Sequence, residues 1–203
     1  MKKNLKFLFL TPLLFAAICD PADDPCGFED PETYTLSIDN IKETYASNEK
    51  IWLNAETTAF LLDYCTETEA PELIEDAQIF LGGLFILKLN NTENLNAEVF
   101  KTVDVTYDVG EMFSFNGCSE EISVLPTLSD DSLFYKFRIG VSIDTAGDYC
   151  IVNARDNNFS FSQENNVAVF ETYNTLDNKI KFNSCDLVYT RDGTNGHYFF
   201  KIQ

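Results

Sequence analysis

The sequence predicts an all-β protein: a single antiparallel β-sandwich over residues 33–203, behind a cleaved export signal. Three observations predict it. From residue 33 onward, apolar and polar residues alternate with a period of two over many short runs. Clusters of Asn, Asp, Ser and Gly break these runs at the intervals of a sandwich. The runs themselves are rich in strand formers, with 18 Phe and 9 Tyr among 203 residues.

Residues 1–18 read as a signal peptide. "MKKNLK" is a basic leader, and "FLFLTPLLFAAI" is apolar but shorter than the ~20 residues a membrane-spanning helix needs. Two cleavage outcomes compete. Ordinary cleavage after Ala17 or Ala16 puts Phe15 or Leu14 at the −3 place, where small residues are preferred. The other outcome resembles a bacterial lipoprotein signal, in which cleavage just before Cys19 leaves that residue to be acylated. Ile18 then takes the −1 place, where Gly, Ala or Ser is usual, and Ala16 takes the −3 place of Leu. Residues 19–32, "CDPADDPCGFEDPE", resemble the acidic, Pro-rich tether of Bacteroidota-type surface lipoproteins. That resemblance implies a lipid anchor at Cys19 and a place at the outer membrane or cell surface; plain secretion is the alternative.

The elements follow in chain order. "YTLSID" alternates Tyr34, Leu36 and Ile38, and "KIWLNAETTAF" sets Ile51, Leu53 and Ala55 against Trp52, Asn54 and Glu56. "EAPELIEDA" predicts one short helical turn with Pro71 near its start. "IFLGGLFILKL" predicts a buried strand, with Gly82-Gly83 as a bulge or tight turn. "VFKTVDVTYDVG" reads as one strand, with Val99, Val103, Val105, Tyr107 and Val109 on one face. "LFYKFRIGVSID" is the clearest case: Leu133, Tyr135, Phe137, Ile139, Val141 and Ile143 face inward, and Lys136 and Arg138 outward. "GDYCIVNA", "NVAVFETY", "KIKFNSCDLVY" and "HYFFKIQ" complete the set, each as a strand.

"DTAGDYC", residues 144–150, resembles the segment before the second core cysteine of immunoglobulin variable domains. The resemblance implies an immunoglobulin-like sandwich in the loose architectural sense. There, the tyrosine that makes a corner contact stands two residues before the cysteine; here Asp148 holds that place and Tyr149 adjoins Cys150. Tyr149 and Cys150 point to opposite faces of a strand, so the corner does not carry over from the resemblance.

Composition excludes several functions. Lys2, Lys3 and Lys6 are three of 14 basic residues; without them the remaining 11 face 33 acids, a formal charge of about −22. Such a chain repels phosphate backbones and anionic head groups, so neither nucleic acid nor a membrane surface is a partner; the lipid anchor alone would hold it to a membrane. The cysteines are Cys19, Cys26, Cys65, Cys118, Cys150 and Cys185. In an exported chain the last five are disulfide candidates, and the even total of six favours full pairing over a lipidated Cys19. They form no zinc-type spacing.

His197 is the single histidine, expected at the surface where a strand begins, with no serine or metal motif beside it. Asp130-Asp131 and Glu120-Glu121 are expected in solvated loops. "SDDS", "RDNN" and "RDGTNG" carry oxygens that calcium could use, a weak signal, since none fits the calcium-loop pattern. Trp52 alternates outward and is a candidate ligand platform, as sugars stack on exposed aromatic rings. The expected function is non-catalytic: a lipoprotein binding an envelope protein. The alternatives are a carbohydrate-binding module on an extracellular glycan and a hydrolase whose site carries no known motif.

Overall fold

The alternation at Tyr34, Leu36 and Ile38 does place those three side chains in a core, with Thr35 and Ser37 turned away. In the computed structural model of the chain, the described residues are 29, 34–63, 70–92, 94–114, 120–154, 159–161, 172–173, 179–192 and 197–203. The signal, nearly all of the tether and "NVAVFETY" up to residue 171 lie outside them.

Two sheets form. The first runs β11 (Thr127–Leu128), β12 (Phe134–Ser142), β3 (Ile51–Thr58), β1 (Tyr34–Ile38), β14 (Phe159–Phe161), and β8 (Asp104–Val109) also pairs with β12. The second runs β2 (Thr44–Tyr45), β17 (Tyr198–Ile202), β13 (Gly147–Asn153), β6 (Gly82–Leu89), β10 (Ile122–Leu125), β9 (Glu111–Met112), with β7 (Ala97–Val99) on β6. The order β1-β3-β12-β8 against β17-β13-β6 is the A-B-E-D against G-F-C order of an immunoglobulin-like sandwich. The N-terminal segment serves both sheets. β1 lies antiparallel to β3, and β2 then lies parallel to the last strand, β17.

Between the sheets, Leu36, Leu53, Phe137 and Ile139 of the first meet Leu84, Ile86, Ile151 and Phe200 of the second. The second sheet is apolar on its other face too, where Phe85, Leu87, Cys150, Val152 and Phe199 form a separate cluster. A hairpin of β15 (Lys179–Ser184) and β16 (Leu187–Asp192) covers that cluster with Ile180, Phe182 and Tyr189. Phe182 meets Phe85 edge-on at 5.3 Å and stacks on Tyr189 at 5.4 Å. Asn96, fully buried, holds the hairpin in place. Its Nδ2 donates to the carbonyls of Lys179 (2.7 Å) and Tyr173 (3.1 Å), and its Oδ1 accepts from Lys181 N (2.8 Å). The continuous apolar character of "LFILKL" and "YCIV" reflects burial on both faces.

Several expectations are corrected. "VFKTVDVTYDVG" is two strands in different sheets: β7 pairs with β6, and β8 pairs with β12. "KIKFNSCDLVY" is a hairpin, turning at Cys185 and Asp186 with φ 47° and 66°. Two consecutive positive φ values make the tight primed turn that suits strand twist. "EAPELIEDA" holds the short strand β5 (Glu72–Leu73) on β4 (Phe60–Leu61), and the helical turn comes later, at Ala77–Phe80, capped by the Asp76 side chain. Gly82 and Gly83 stay in the ladder, opposite Val124 and Ser123. A Cβ on Gly83 would lie 2.1 Å from Glu121 Oε1, so the glycine makes room for that carboxylate. Leu133, expected inside, is 45% exposed.

The corner is present as well. Tyr149 Oη donates to Thr145 O, four residues upstream, at 2.8 Å. Because Tyr149 faces the inter-sheet core, Cys150 faces the opposite way, under the hairpin. The corner tyrosine is kept and the cysteine after it is displaced to the other side of the strand.

Candidate functional site

The outer face of the first sheet carries the residues that β3 and β12 turn away from the core. Register fixes their neighbours: Asn54 stands opposite Arg138, and Trp52 opposite Gly140. A Cβ on Gly140 would lie 2.5 Å from the Lys50 side chain and 3.0 Å from the Trp52 ring, so both lie across the glycine. The Arg138 guanidinium stacks at 4.1 Å from the Trp52 ring centroid, and Lys50 Nζ sits 5.3 Å from it.

Arg138 is also the centre of an ion-pair network. Its Nη2 donates to Asp39 Oδ2 at 2.8 Å, and its Nη1 to Asp108 Oδ2 at 2.7 Å. Asn54 Nδ2 donates to the other Asp39 oxygen at 2.8 Å. The pairing of β12 with β8 slips between Arg138 and Ile139, which oppose Val109 and Tyr107. Asp108 is the extra residue, and this bulge sits where its carboxylate reaches Arg138. The hydrogen bond from Arg138 holds the Asp39 carboxyl below its ordinary range. The two carboxylates, Asp39 first, hold the guanidinium proton more tightly still.

Beside this network lies a groove of about 390 Å³ lined by Thr35, Ser37, Asn54, Glu56, Lys136 and Arg138. Hydroxyl, amide, carboxylate and ammonium groups line it together. Such a surface can take a polar ligand or a protein edge by mixed hydrogen bonds. Both oxygens of Asp39 are already engaged by Asn54 and Arg138.

A second depression, of about 530 Å³, lies at the hairpin turn among Glu98, Lys101, Glu120, Ser184, Cys185 and Val188. Glu120 is not an idle loop acid. Its side chain is only 17% exposed, pairs with Lys101, and accepts from Ser184 Oγ at 2.8 Å and Cys185 N at 3.3 Å. These contacts, Lys101 first, lower its pKa.

Trp52 is half-buried on the outer face, as the alternation predicts, but the ring carries Arg138 and Lys50. His197 is buried at 4% exposure, edge-on to Phe199 at 6.5 Å, which corrects its expected surface place. Cys150 is a free, buried thiol, so it is no disulfide partner; burial pushes its pKa up and keeps it from acting as a thiolate. Cys185 sits at the turn of the hairpin, and Cys19, Cys26, Cys65 and Cys118 lie outside the described residues. In "SDDS", Asp131 accepts from Ser129 Oγ and Leu133 N, so one oxygen caps its own turn. Among the described residues, no group of three or more His, Cys, Asp or Glu side chains is placed to hold a metal ion. Nor is any described helix long and apolar enough to cross a membrane.

Alternation made Trp52, Lys136 and Arg138 legible as outward residues. It also set Asp108 outward, opposite Tyr107 and Val109; that Asp108 and Asp39 meet Arg138 was not legible, because one contact depends on a bulge and the other follows a strand end. No family model, no curated protein and no solved structure matches the chain.

Proposed function

We propose that the chain is an exported lipoprotein, anchored at Cys19 and tethered through residues 19–32, whose sandwich binds an envelope protein without catalysis. The observation that carries the binding part is the asymmetry of the two outer faces. The second sheet spends its outer face on the hairpin, through Phe85, Cys150 and Phe199. The first sheet keeps Glu56, Lys136, Asp39 and Asp108 exposed or half-buried on its outer face, beside a groove that polar side chains line together with Ala55, Val109 and Phe137. A mixed-charge face with an aromatic–arginine centre has the composition of a protein-binding surface.

Cysteine parity supports the anchor. Once Cys150 is set aside as a free thiol, five cysteines remain, and pairing leaves one over. Cys19 is the one furthest from the strands in sequence.

Two measurements test this. Intact mass of the protein from its native host should show a chain beginning at acylated Cys19; a chain released to the medium with an unmodified Cys19 would overturn the anchor. A photo-crosslinker at Glu56 on whole cells should capture a protein adduct that Arg138→Glu abolishes. No adduct from Glu56, with one formed at the hairpin residue Leu187, would overturn the choice of face.

The carbohydrate-binding reading uses the same face, and the hydroxyl and amide groups of Thr35, Ser37 and Asn54 favour it, lining one groove with the Arg138 that stacks on Trp52. Glycan binding lost on Trp52→Ala, with no protein adduct from Glu56, would select it.

A further inference from the structure

We infer that the open edge of β8 takes an extended segment of a partner protein, one that alternates basic with apolar residues. It rests on the proposed protein-binding reading and names the segment that the first sheet holds.

Topology leaves this edge open. β8 pairs with β12 on one side, and among the described residues no strand pairs with its other side. In an antiparallel strand every second residue turns both its N–H and its C=O away from the neighbour it pairs with. On β8 those groups are a template for one more strand. The other outer strands of the two main sheets are two or three residues long, whereas β8 has six. Short edges are poor templates, so the choice falls on β8.

Its side chains say what the segment carries. Val105 and Tyr107 oppose Val141 and Ile139 and pack against the core, yet both stay only half-buried. Apolar residues of an added strand cover the part left open. Asp104 and Thr106 oppose Ser142 and Gly140 on the outer face. Asp104 is exposed, as is the bulged Asp108. The nearest cations lie further in: Lys50 Nζ donates to Thr106 Oγ1 at 2.9 Å, and Arg138 Nη1 to Asp108 Oδ2. The rim is therefore acidic, and Lys or Arg at alternate positions of the added strand stands beside Asp104. The same acids exclude a second copy of this chain, because antiparallel pairing of β8 with itself brings like charges together. The regular ladder runs from Asp104 to Tyr107 and ends at the bulge, so the segment is short.

The probe is a short fluorescent peptide alternating Lys with Val, added to the full chain at low ionic strength. It should bind saturably and slow hydrogen exchange at the β8 amides. N-methylation of all its amides, which keeps the charge and removes the ladder, should abolish binding. Asp104→Lys should weaken it roughly tenfold and strengthen binding of the matching Glu–Val peptide. No saturable binding, equal binding by the N-methylated peptide, or protection away from β8 would overturn the edge. On whole cells, Asp104→Lys should lower the yield of the adduct captured from Glu56. An adduct unchanged by Asp104→Lys would overturn the edge and leave the binding face standing. Peptide binding at β8 with no adduct from Glu56 would overturn the face and leave the edge standing.

Discussion

Tyr149 shows how one side chain can hold a fold's joint while its neighbour goes elsewhere. Its ring stacks on Phe200 at 5.7 Å, and its hydroxyl closes the turn onto Thr145 O. Burial, aided by Asp144, pushes that hydroxyl up to about 12, so the bond persists at any physiological pH. Tyr149→Phe keeps the ring and removes the bond. It should cost about 1 kcal/mol, read as a lower urea midpoint with unchanged slope. A corner tyrosine sought only two residues before a cysteine is missed here, because the cysteine is the wrong landmark. What the turn needs is a phenol on the core face, and strand alternation shows that face whichever residue comes next.

At the scale of elements, the hairpin of β15 and β16 is a lid on an apolar sheet face, with Phe182 fully buried in the contact. Phe182→Ala should cost about 3–5 kcal/mol and raise binding of a hydrophobic dye, since Phe85, Leu87 and Phe199 lose their cover. The strands were legible wherever one face meets water: β1, β3 and the first half of β12 alternate because their outer residues are partly or fully solvated. The hairpin was not legible, because its turn is Cys-Asp where Asn-Gly is the usual signal. The split of β7 from β8 was hidden for a different reason. Apolar residues before and after the crossing keep the same period, so nothing local marks the change of sheet. Of the candidate site, the outward row was readable, and the joining of Asp39 and Asp108 to Arg138 was not, since a strand end and a bulge bring them in.

Across the whole molecule, charge is the dominant property, with a formal value of −19 for the full chain. Few cations are present, and Lys101 and Arg138 each hold a carboxylate below its ordinary pKa. A depressed folded pKa contributes stability that is present above the unfolded value and is lost as pH falls through the folded one. Wild type should therefore exceed Glu120→Gln in stability at pH 6, and the two should converge as pH falls below the ordinary 4.5, by denaturant titration at each pH. Comparing the pair isolates this effect from the general relief of repulsion on acidification, which both share.

The parallel pairing of β2 with β17 has a consequence in time. Lys201 and Ile202 pair with Thr44 and Tyr45, and Tyr45 Oη meets Tyr198 Oη at 2.8 Å. The start of the domain therefore waits for its end, and a chain still emerging from the ribosome lacks the strand that β2 and β13 both need. Non-local closure of this kind is slow. A chain truncated after residue 196 should remain unfolded by circular dichroism and be cleared by proteases. Under the proposed export, such a delay would keep the polypeptide loose enough to thread through a translocation channel before β17 closes the sheet.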